Sequence, residues 1–173
     1  ENTFKWTADI GDLDASEITA EGTITVKNNN YVLINEENFP DEIFRDYVKE
    51  KFDTDGNGVL SAEEINTISI DVSDRGISDL KGIEYFTSLK YLYCNNNNLT
   101  SLDVSNNTVL TELSCDNNNL TSLGVSNNTA LTYLDCSYNN LTSLDVSNNP
   151  ALETLYCLYN NLTSLDVRNN PLL

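Results

Sequence analysis

A 21-residue unit recurs four times between residues 89 and 173. The same leucine opens each copy, at Leu89, Leu110, Leu131 and Leu152, and Leu173 takes the first position of a fifth. A unit of this length cannot bury its own apolar side chains, so it must stack them against its neighbours. The period therefore predicts a solenoid of stacked coils.

Each coil consists of two near-equivalent halves. The first half reads L-x-x-L-x-C-x-x-N-x-L, and the second reads L-T-S-L-D-V-S-N-N with few changes. The alternation of strand side chains turns Leu92 and Cys94 inward and Tyr93 outward. Asparagine recurs at Asn97, Asn118, Asn139 and Asn160. We expect these amides to bond backbone groups left free where each coil bends, and we expect a convex side that is extended or turn-like.

Four cysteines recur with the same period, at Cys94, Cys115, Cys136 and Cys157. Adjacent strands lie about 4.8 Å apart, so the thiols would form an interior column. Neighbouring Cβ atoms in such a column point the same way rather than toward each other, which does not suit a disulfide. The spacing favours free, buried thiols over disulfides or a metal or redox site.

A helical pattern precedes the repeat and starts near Asn38. Apolar residues recur at three- and four-residue spacing, at Ile43, Phe44, Tyr47, Val48 and Phe52. Pro40 suits a first helical turn, and Asp41 and Glu42 place negative charge at the positive end of the helix dipole. We predict a helix whose apolar stripe packs against the first coil.

Residues 53–64, DTDGNGVLSAEE, fit the calcium loop of an EF-hand at every informative position. The predicted ligands are Asp53, Asp55, Asn57, the backbone carbonyl of Val59, Ser61 through a water molecule, and a bidentate Glu64. Gly58 at position 6 allows the sharp turn. The alternative is only a polar turn with a capping box of Ser61 and Glu64. A short helix from Ser61 to about Thr67 is predicted to follow. We expect Ca²⁺ to bind, because a capping box alone explains neither the oxygen ligands nor the glycine.

The pattern divides the chain into three segments. Residues 1–37 are predicted to be an arm or linker in which 23–26 and 31–34 would form a β-hairpin. Residues 38–69 form the helical cap, and residues 70–173 form the array, with an atypical first coil at 70–88, four coils at 89–172 and a truncation at 173. In the first coil, apolar residues take the leucine positions at Ile70, Val72, Ile77, Leu80, Ile83 and Phe86.

The charge balance excludes several partners. The chain has 9 Lys plus Arg against 27 Asp plus Glu, and its formal net charge of −18 repels nucleic acid and anionic membrane surfaces. No apolar run is long enough to insert into a membrane. There is no histidine, and no Ser–His, Cys–His or phosphate-loop arrangement is present, so we expect no catalysis. The chain starts at Glu1 without an apolar leader, as expected for a mature or trimmed chain, and we expect it to be a monomer.

Residues 38–173 resemble bacterial cell-surface leucine-rich repeat proteins related to the internalins, particularly the asparagine-rich class with this nested 21-residue unit. Internalin-like proteins carry a small helical, EF-hand-like cap before the first coil, in the order found here. The resemblance implies an α+β leucine-rich repeat solenoid with a parallel β-sheet on its concave face, in a secreted or wall-attached binding protein. Two departures from the family pattern are the retained calcium ligands and the cysteine at a core leucine position.

The outward strand positions vary from coil to coil and carry six of the nine tyrosines. The candidate partner-binding residues are Tyr91, Tyr93, Glu112, Asp116, Tyr133, Asp135, Tyr138, Tyr156 and Tyr159. Tyrosine is favoured at interfaces because it is amphipathic and loses little rotamer entropy. The alternative role is cross-strand packing that stiffens the sheet. We expect this face to bind a protein ligand in adhesion; a glycan-binding module and a structural stalk for other domains are the competing hypotheses.

Overall fold

The computed structural model describes residues 31–173, and the predicted strand 23–26 lies outside them. A five-stranded parallel sheet runs through the repeat in chain order. Its strands are β3 (Ser69–Asp71), β4 (Tyr91–Tyr93), β5 (Glu112–Ser114), β6 (Tyr133–Asp135) and β7 (Thr154–Tyr156). Each strand pairs with the equivalent strand of the next coil, so that Leu92 lies beside Leu113 and Leu113 beside Leu134. The predicted parallel-sheet solenoid is confirmed.

The interior is a stack of aliphatic side chains. The middle residues of β3 to β6 are completely buried, whereas their neighbours on the same strands face outward. The predicted first coil is part of the same core, because its six apolar positions are all buried. The convex side of residues 89–173 contains turns and the isolated bridges Asp103–Gly124 and Gly124–Asp145 rather than a helix, as expected.

The first asparagine ladder has the predicted role. The Asn118 Nδ2 donates to the carbonyls of Cys94, at 3.0 Å, and Cys115, at 3.1 Å. Its Oδ1 accepts a 3.0 Å bond from the buried Leu99 backbone N–H. The same pattern recurs at Asn139. Each of these amides therefore joins its own coil to the coil before it.

A second ladder in the other half of each coil is only partly satisfied. It consists of Asn107, Asn128, Asn149 and Asn170, all buried. The Asn128 Nδ2 donates to the carbonyls of Val104 and Asn107, both at 2.9 Å. Its Oδ1, however, is buried without a hydrogen-bond partner among residues 31–173, as are the Oδ1 atoms of the other three. The two ladders therefore differ in how much backbone they satisfy.

The cap is built on helix α1 (Glu42–Phe52), which begins later than the sequence predicts. Asp41 is the N-cap, and its Oδ1 accepts bonds from the Ile43 and Phe44 N–H groups. Pro40 therefore precedes the helix instead of occupying its first turn. The second oxygen of Asp41 accepts 2.8 Å bonds from the backbone N–H and the hydroxyl of Ser78. One carboxylate thus caps the helix and attaches it to the first coil.

The apolar stripe of α1 packs on the first coil, except at one position. Phe44 and Val48 are completely buried, but Ile43 is 45% exposed, so its predicted place in the core is wrong. The Phe52 ring lies 5.0 Å from the Phe86 ring of the first coil, measured between centroids. One residue step turns a side chain by about 100° around a helix, so Ile43 points away from the direction of the completely buried Phe44.

Two segments near the calcium-type loop also differ from the prediction. Strand β1 (Val32–Leu33) pairs antiparallel with β2 (Val59–Leu60), so part of the predicted arm belongs to the cap.

The predicted helix between 61 and 67 is reduced to a single turn, closed by a 3.1 Å bond from the Ile65 N–H to the Ser61 carbonyl. After Ile65 the helical bonds do not continue, because the Asn66 N–H donates to the Glu63 carbonyl, at 3.2 Å, and the Thr67 N–H to the Ile65 carbonyl, at 2.9 Å. In residues 31–173 no helix has the length and apolar character needed to span a bilayer.

Candidate functional site

The loop between α1 and β2 folds around its first carboxylate. The Asp53 Oδ2 accepts a 3.0 Å bond from the Gly58 N–H, and the Asp55 Oδ1 accepts a 3.1 Å bond from the Asn57 N–H. Gly58 has φ +78°, a left-handed conformation that strains residues with a side chain. The glycine at position 6 of the predicted loop therefore makes the turn for which it was singled out.

Three carboxylates of the loop are close enough to share one ion. One oxygen from each of Asp53, Asp55 and Glu64 lies within 4.8 Å of the others. Calcium–oxygen bonds of about 2.3–2.6 Å allow ligands of one ion to lie up to about 5 Å apart. Asp53 is only 8% exposed, and its Oδ1 is buried without a hydrogen-bond partner in the described part of the chain. A cation would supply the missing partner, so these residues fit Ca²⁺.

Hydrogen bonds from Thr54, near the start of the loop, and from Ser61, near its end, hold Glu64 in place. Its Oε2 accepts 2.9 Å bonds from the Ser61 N–H and hydroxyl, and its Oε1 accepts bonds from the Thr54 N–H, at 2.8 Å, and hydroxyl, at 2.7 Å. These bonds, from the Ser61 backbone first and then Thr54, lower the pKa of Glu64 to about 2. The carboxylate is therefore ionised at neutral pH, as a calcium ligand must be.

The two sequence interpretations of the loop coexist in one geometry. The Glu64 N–H donates to the Ser61 hydroxyl at 3.3 Å, which completes a capping box beside the carboxylate cluster. Two further predicted ligands have other bonds: the Asn57 Oδ1 accepts a 2.7 Å bond from the Val59 N–H, and the Ser61 hydroxyl donates to Glu64 at 2.9 Å. The structure thus brings Asp53, Asp55 and Glu64 together most closely.

The outward face of the sheet carries tyrosines at its far end. Tyr133 and Tyr156 meet edge to face with centroids 6.0 Å apart, and Tyr138 and Tyr159 stack at 4.4 Å. Although stacked, Tyr138 is 50% exposed and Tyr159 is 70% exposed. Leu158, not singled out as a binding residue, is also exposed. The signal in the sequence is that leucine there follows Asn95, Asp116 and Ser137 in the same column.

The stacked tyrosines occupy a strained backbone position. Asn96, Asn117, Tyr138 and Tyr159 occupy equivalent sites, and all have φ between 51° and 55°. Asparagine tolerates this left-handed conformation, but a bulky residue there costs about 1–2 kcal/mol. The last two coils therefore replace a favourable residue with a costly one, and they expose an aromatic ring by doing so.

Acidic groups surround the tyrosines on the same face. The Tyr93 hydroxyl donates a 2.8 Å bond to the Glu112 carboxylate, which raises the pKa of Tyr93 to about 12. Burial first, and then the charges of Asp135, Asp116 and Glu112, raise the pKa of Tyr133. Tyr91 lies beside Tyr93 on β4. The predicted partner-binding residues thus combine aromatic and acidic side chains. We term them the tyrosine face: Tyr91, Tyr93, Glu112, Asp116, Tyr133, Asp135, Tyr138, Tyr156 and Tyr159.

The cysteine column is structural. All four cysteines are free, as predicted, and Cys94, Cys115 and Cys136 are completely buried. Burial raises the pKa of each of these thiols, that of Cys136 to about 12. Since the thiolate is the reactive and metal-binding form, the buried thiols are inert at neutral pH.

Comparison with known proteins gives the chain its relatives. No family model matches it. Internalin J of Listeria monocytogenes serotype 4b is 41% identical over 71 residues, which are 40% of this chain and 8% of that protein. The solved functional domain of Internalin J, described as including a cysteine ladder, has 43% identity and a TM-score of 0.77. That alignment covers 86% of this chain and 33% of the solved chain.

A second bacterial structure supports the same fold. A leucine-rich repeat protein of Leptospira interrogans is 26% identical with a TM-score of 0.61, over 64% of this chain and 31% of that chain. The chain thus spans a third or less of the proteins it matches here. The parallel sheet, the asparagine ladder and the cysteine column agree with these similarities. The chain is a leucine-rich repeat solenoid whose homologues include Internalin J of Listeria monocytogenes.

Proposed function

We propose that the chain is a surface-exposed or secreted protein-binding module that uses the tyrosine face for adhesion. The observation that carries this proposal is the exposure of Tyr138 and Tyr159 on left-handed backbone. Each ring costs strain and leaves apolar surface in water, although asparagine serves at the same site two coils earlier. Homology to Internalin J supports a bacterial surface module.

A purely structural role for the tyrosines explains less. Cross-strand aromatic pairs do stabilise a sheet by a few tenths to about 1 kcal/mol. The stacked pair gains this, but strain at two left-handed residues offsets it. Stiffening also does not require the exposed Leu158, which enlarges the apolar patch. A binding role accounts for both features.

Replacing Tyr138 and Tyr159 together by asparagine should separate binding from stability. Because asparagine suits the left-handed sites, we expect the melting temperature to stay the same or rise. Binding to extracts of cell-surface proteins should fall by at least about tenfold, since exposed aromatic residues carry much of the energy of an interface. Paired surface plasmon resonance and calorimetry would measure both quantities.

The matched control for this variant is Asn96→Ala with Asn117→Ala, which alters the same column without removing an aromatic ring. Unchanged binding by the tyrosine variant would contradict the assignment of the face. A glycan array run in parallel tests the competing hypothesis. If oligosaccharides bound in a tyrosine-dependent manner and proteins did not, the module would be glycan-binding.

We further propose that Ca²⁺ binds at residues 53–64 and stabilises the cap. Asp53, Asp55 and Glu64 would supply carboxylate oxygens, with Asn57, the Val59 carbonyl and water at Ser61 completing the shell. The buried, unpartnered Oδ1 of Asp53 supports this, because an unpaired carboxylate oxygen is costly to bury. The ion would join the end of α1 to the turn that leads into β3.

Calcium should raise the melting temperature of chelator-treated protein. An ion that binds only the folded state adds about 2.7 kcal/mol of stability at a concentration one hundred times its Kd. Asp53→Asn should abolish most of this gain. Isothermal titration and thermal unfolding at millimolar calcium, the range of extracellular modules, would detect the effect.

The neighbouring Glu63 provides the control, because it is exposed and takes no ligand position. Glu63→Gln removes one charge from the same loop and should keep the full calcium response. Absence of both binding heat and a thermal shift in the unaltered chain would refute the calcium site. An equal loss in Glu63→Gln would indicate a diffuse charge effect instead.

A further inference from the structure

The tyrosine face lies in a region that has no positive charge of its own. From residue 91 to residue 159 the chain contains neither lysine nor arginine. Three of the acids in this span, Glu112, Asp116 and Asp135, lie among the outward tyrosines, and Asp71 extends them onto β3. None of these four acids forms an ion pair within residues 31–173. Their charges are therefore available to a partner.

The neighbouring rings add a second attraction for cations. The face of an aromatic ring attracts guanidinium and ammonium groups, and one such contact at an exposed site is worth about two- to fivefold in affinity. The chain makes this contact in its cap, where the Arg75 guanidinium carbon lies 4.8 Å from the centroid of the Tyr47 ring. On the tyrosine face, Tyr133 lies close enough to Asp116 and Asp135 for their charges to raise its pKa. A cation there would meet a ring and a carboxylate together.

The exposed apolar surface favours a peptide over a small cation. Tyr138, Tyr156, Leu158 and Tyr159 offer apolar area at the end of the face. Lysine and arginine have long aliphatic stems that pack on such surface while the charged head remains in water. We propose that the tyrosine face binds a protein segment rich in arginine and lysine. This inference rests on the proposed protein-binding function and specifies the chemistry of its partner.

A synthetic peptide in which arginine alternates with serine tests the proposal. A peptide of the same length in which glutamate alternates with serine is the control. The arginine peptide should bind the full chain in calcium-containing buffer. Its affinity should fall about tenfold or more between about 0.1 M and 1 M NaCl, because salt screens exposed charges. The glutamate peptide should not bind. Fluorescence anisotropy would measure both.

Matched variants assign the charge effect to this face. The triple variant Glu112→Gln, Asp116→Asn, Asp135→Asn should weaken the arginine peptide about tenfold. The control triple Asp103→Asn, Asp145→Asn, Glu153→Gln removes the same net charge from the repeat array but away from the outward strand positions, and it should weaken binding less than twofold. Equal losses in the two triples would overturn the proposal, because attraction would then come from net charge alone.

The tyrosine variant distinguishes this inference from the proposed function. If Tyr138→Asn with Tyr159→Asn abolished protein binding but the acidic triple had no effect, protein binding by the tyrosine face would be supported. The proposal of a basic partner would be refuted. Failure of the arginine peptide to bind at low salt would also refute it. Salt-independent, tyrosine-dependent binding of a neutral oligosaccharide would refute both proposals.

Discussion

Replacing Gly82 by alanine should destabilise the junction between the cap and the first coil by more than about 3 kcal/mol. A Cβ at this position would overlap the ring of Phe39 and lie 2.9 Å from the Asn38 carbonyl oxygen. Phe39 is completely buried against Phe44 and cannot withdraw without opening the cap. Gly82 also has φ +108°, which a residue with a side chain rarely adopts. Urea unfolding would measure the loss, and an early transition of the cap is expected.

Gly124→Ala is the control for this experiment. It adds the same methyl group to a glycine of the array that has no left-handed φ, and no atom lies within 4 Å of the new Cβ. Its free energy of unfolding should change by less than about 0.5 kcal/mol. If the two substitutions had similar effects, close packing of Phe39 on Gly82 would not determine the stability of the cap.

Asn118→Ala should destabilise the array strongly, by about 3–4 kcal/mol. It removes the acceptor of the Leu99 N–H and a donor shared by the Cys94 and Cys115 carbonyls. A buried polar group left unsatisfied costs about 1–3 kcal/mol, and backbone N–H groups are the least tolerant of it. Denaturant unfolding of the full chain, monitored by circular dichroism, gives the free-energy change.

The second ladder offers a comparison inside the same coil. Asn128 donates to two carbonyls but accepts no bond, and its Oδ1 is itself unpaired in the described residues. Asn128→Ala leaves no N–H group without an acceptor and removes one unsatisfied oxygen. We therefore expect its loss of folding free energy to be about 1–2 kcal/mol smaller than that of Asn118→Ala. Equal costs would show that side-chain packing, rather than hydrogen bonding, determines the role of both ladders.

The solenoid could be predicted from the sequence because every constraint is repeated. Leu92 and Leu113 occupy the same position in successive copies, so a register that buries one must bury the other. The first asparagine ladder and the thiol column follow from the same period. Because four copies of one unit impose the same buried positions, few folds other than a solenoid are compatible with the sequence.

The cap was harder to predict because its form depends on distant partners. Asp41 caps the helix while it binds Ser78, a residue 37 positions away. The segment 31–34 pairs with β2 across the helix and the loop, and no local pattern indicates that pairing. The helix predicted for 61–67 stops after one turn, which the local pattern did not indicate either. Local signals placed the helix and the loop but not their boundaries.

For the candidate site, the sequence predicts the residues, whereas their conformation comes only from the structure. Aligning the coils places Tyr138 and Tyr159 opposite asparagines. Only the backbone geometry reveals that these sites are left-handed, and hence that tyrosine is costly there. In the loop, the ligand spacing was evident, but the orphaned oxygen of Asp53 depends on burial beneath neighbouring residues. Such properties belong to three-dimensional packing.

The asparagine ladders also have a direction. The Asn118 and Asn128 amides donate to carbonyls of the preceding coil, and the first coil likewise accepts bonds from the amides of Asn97 and Asn107. In both ladders, the asparagine that links two coils therefore belongs to the later coil. Duplication or deletion of a whole 21-residue unit would leave each remaining joint intact, so the length of such an array can change in a single genetic step while the register is kept.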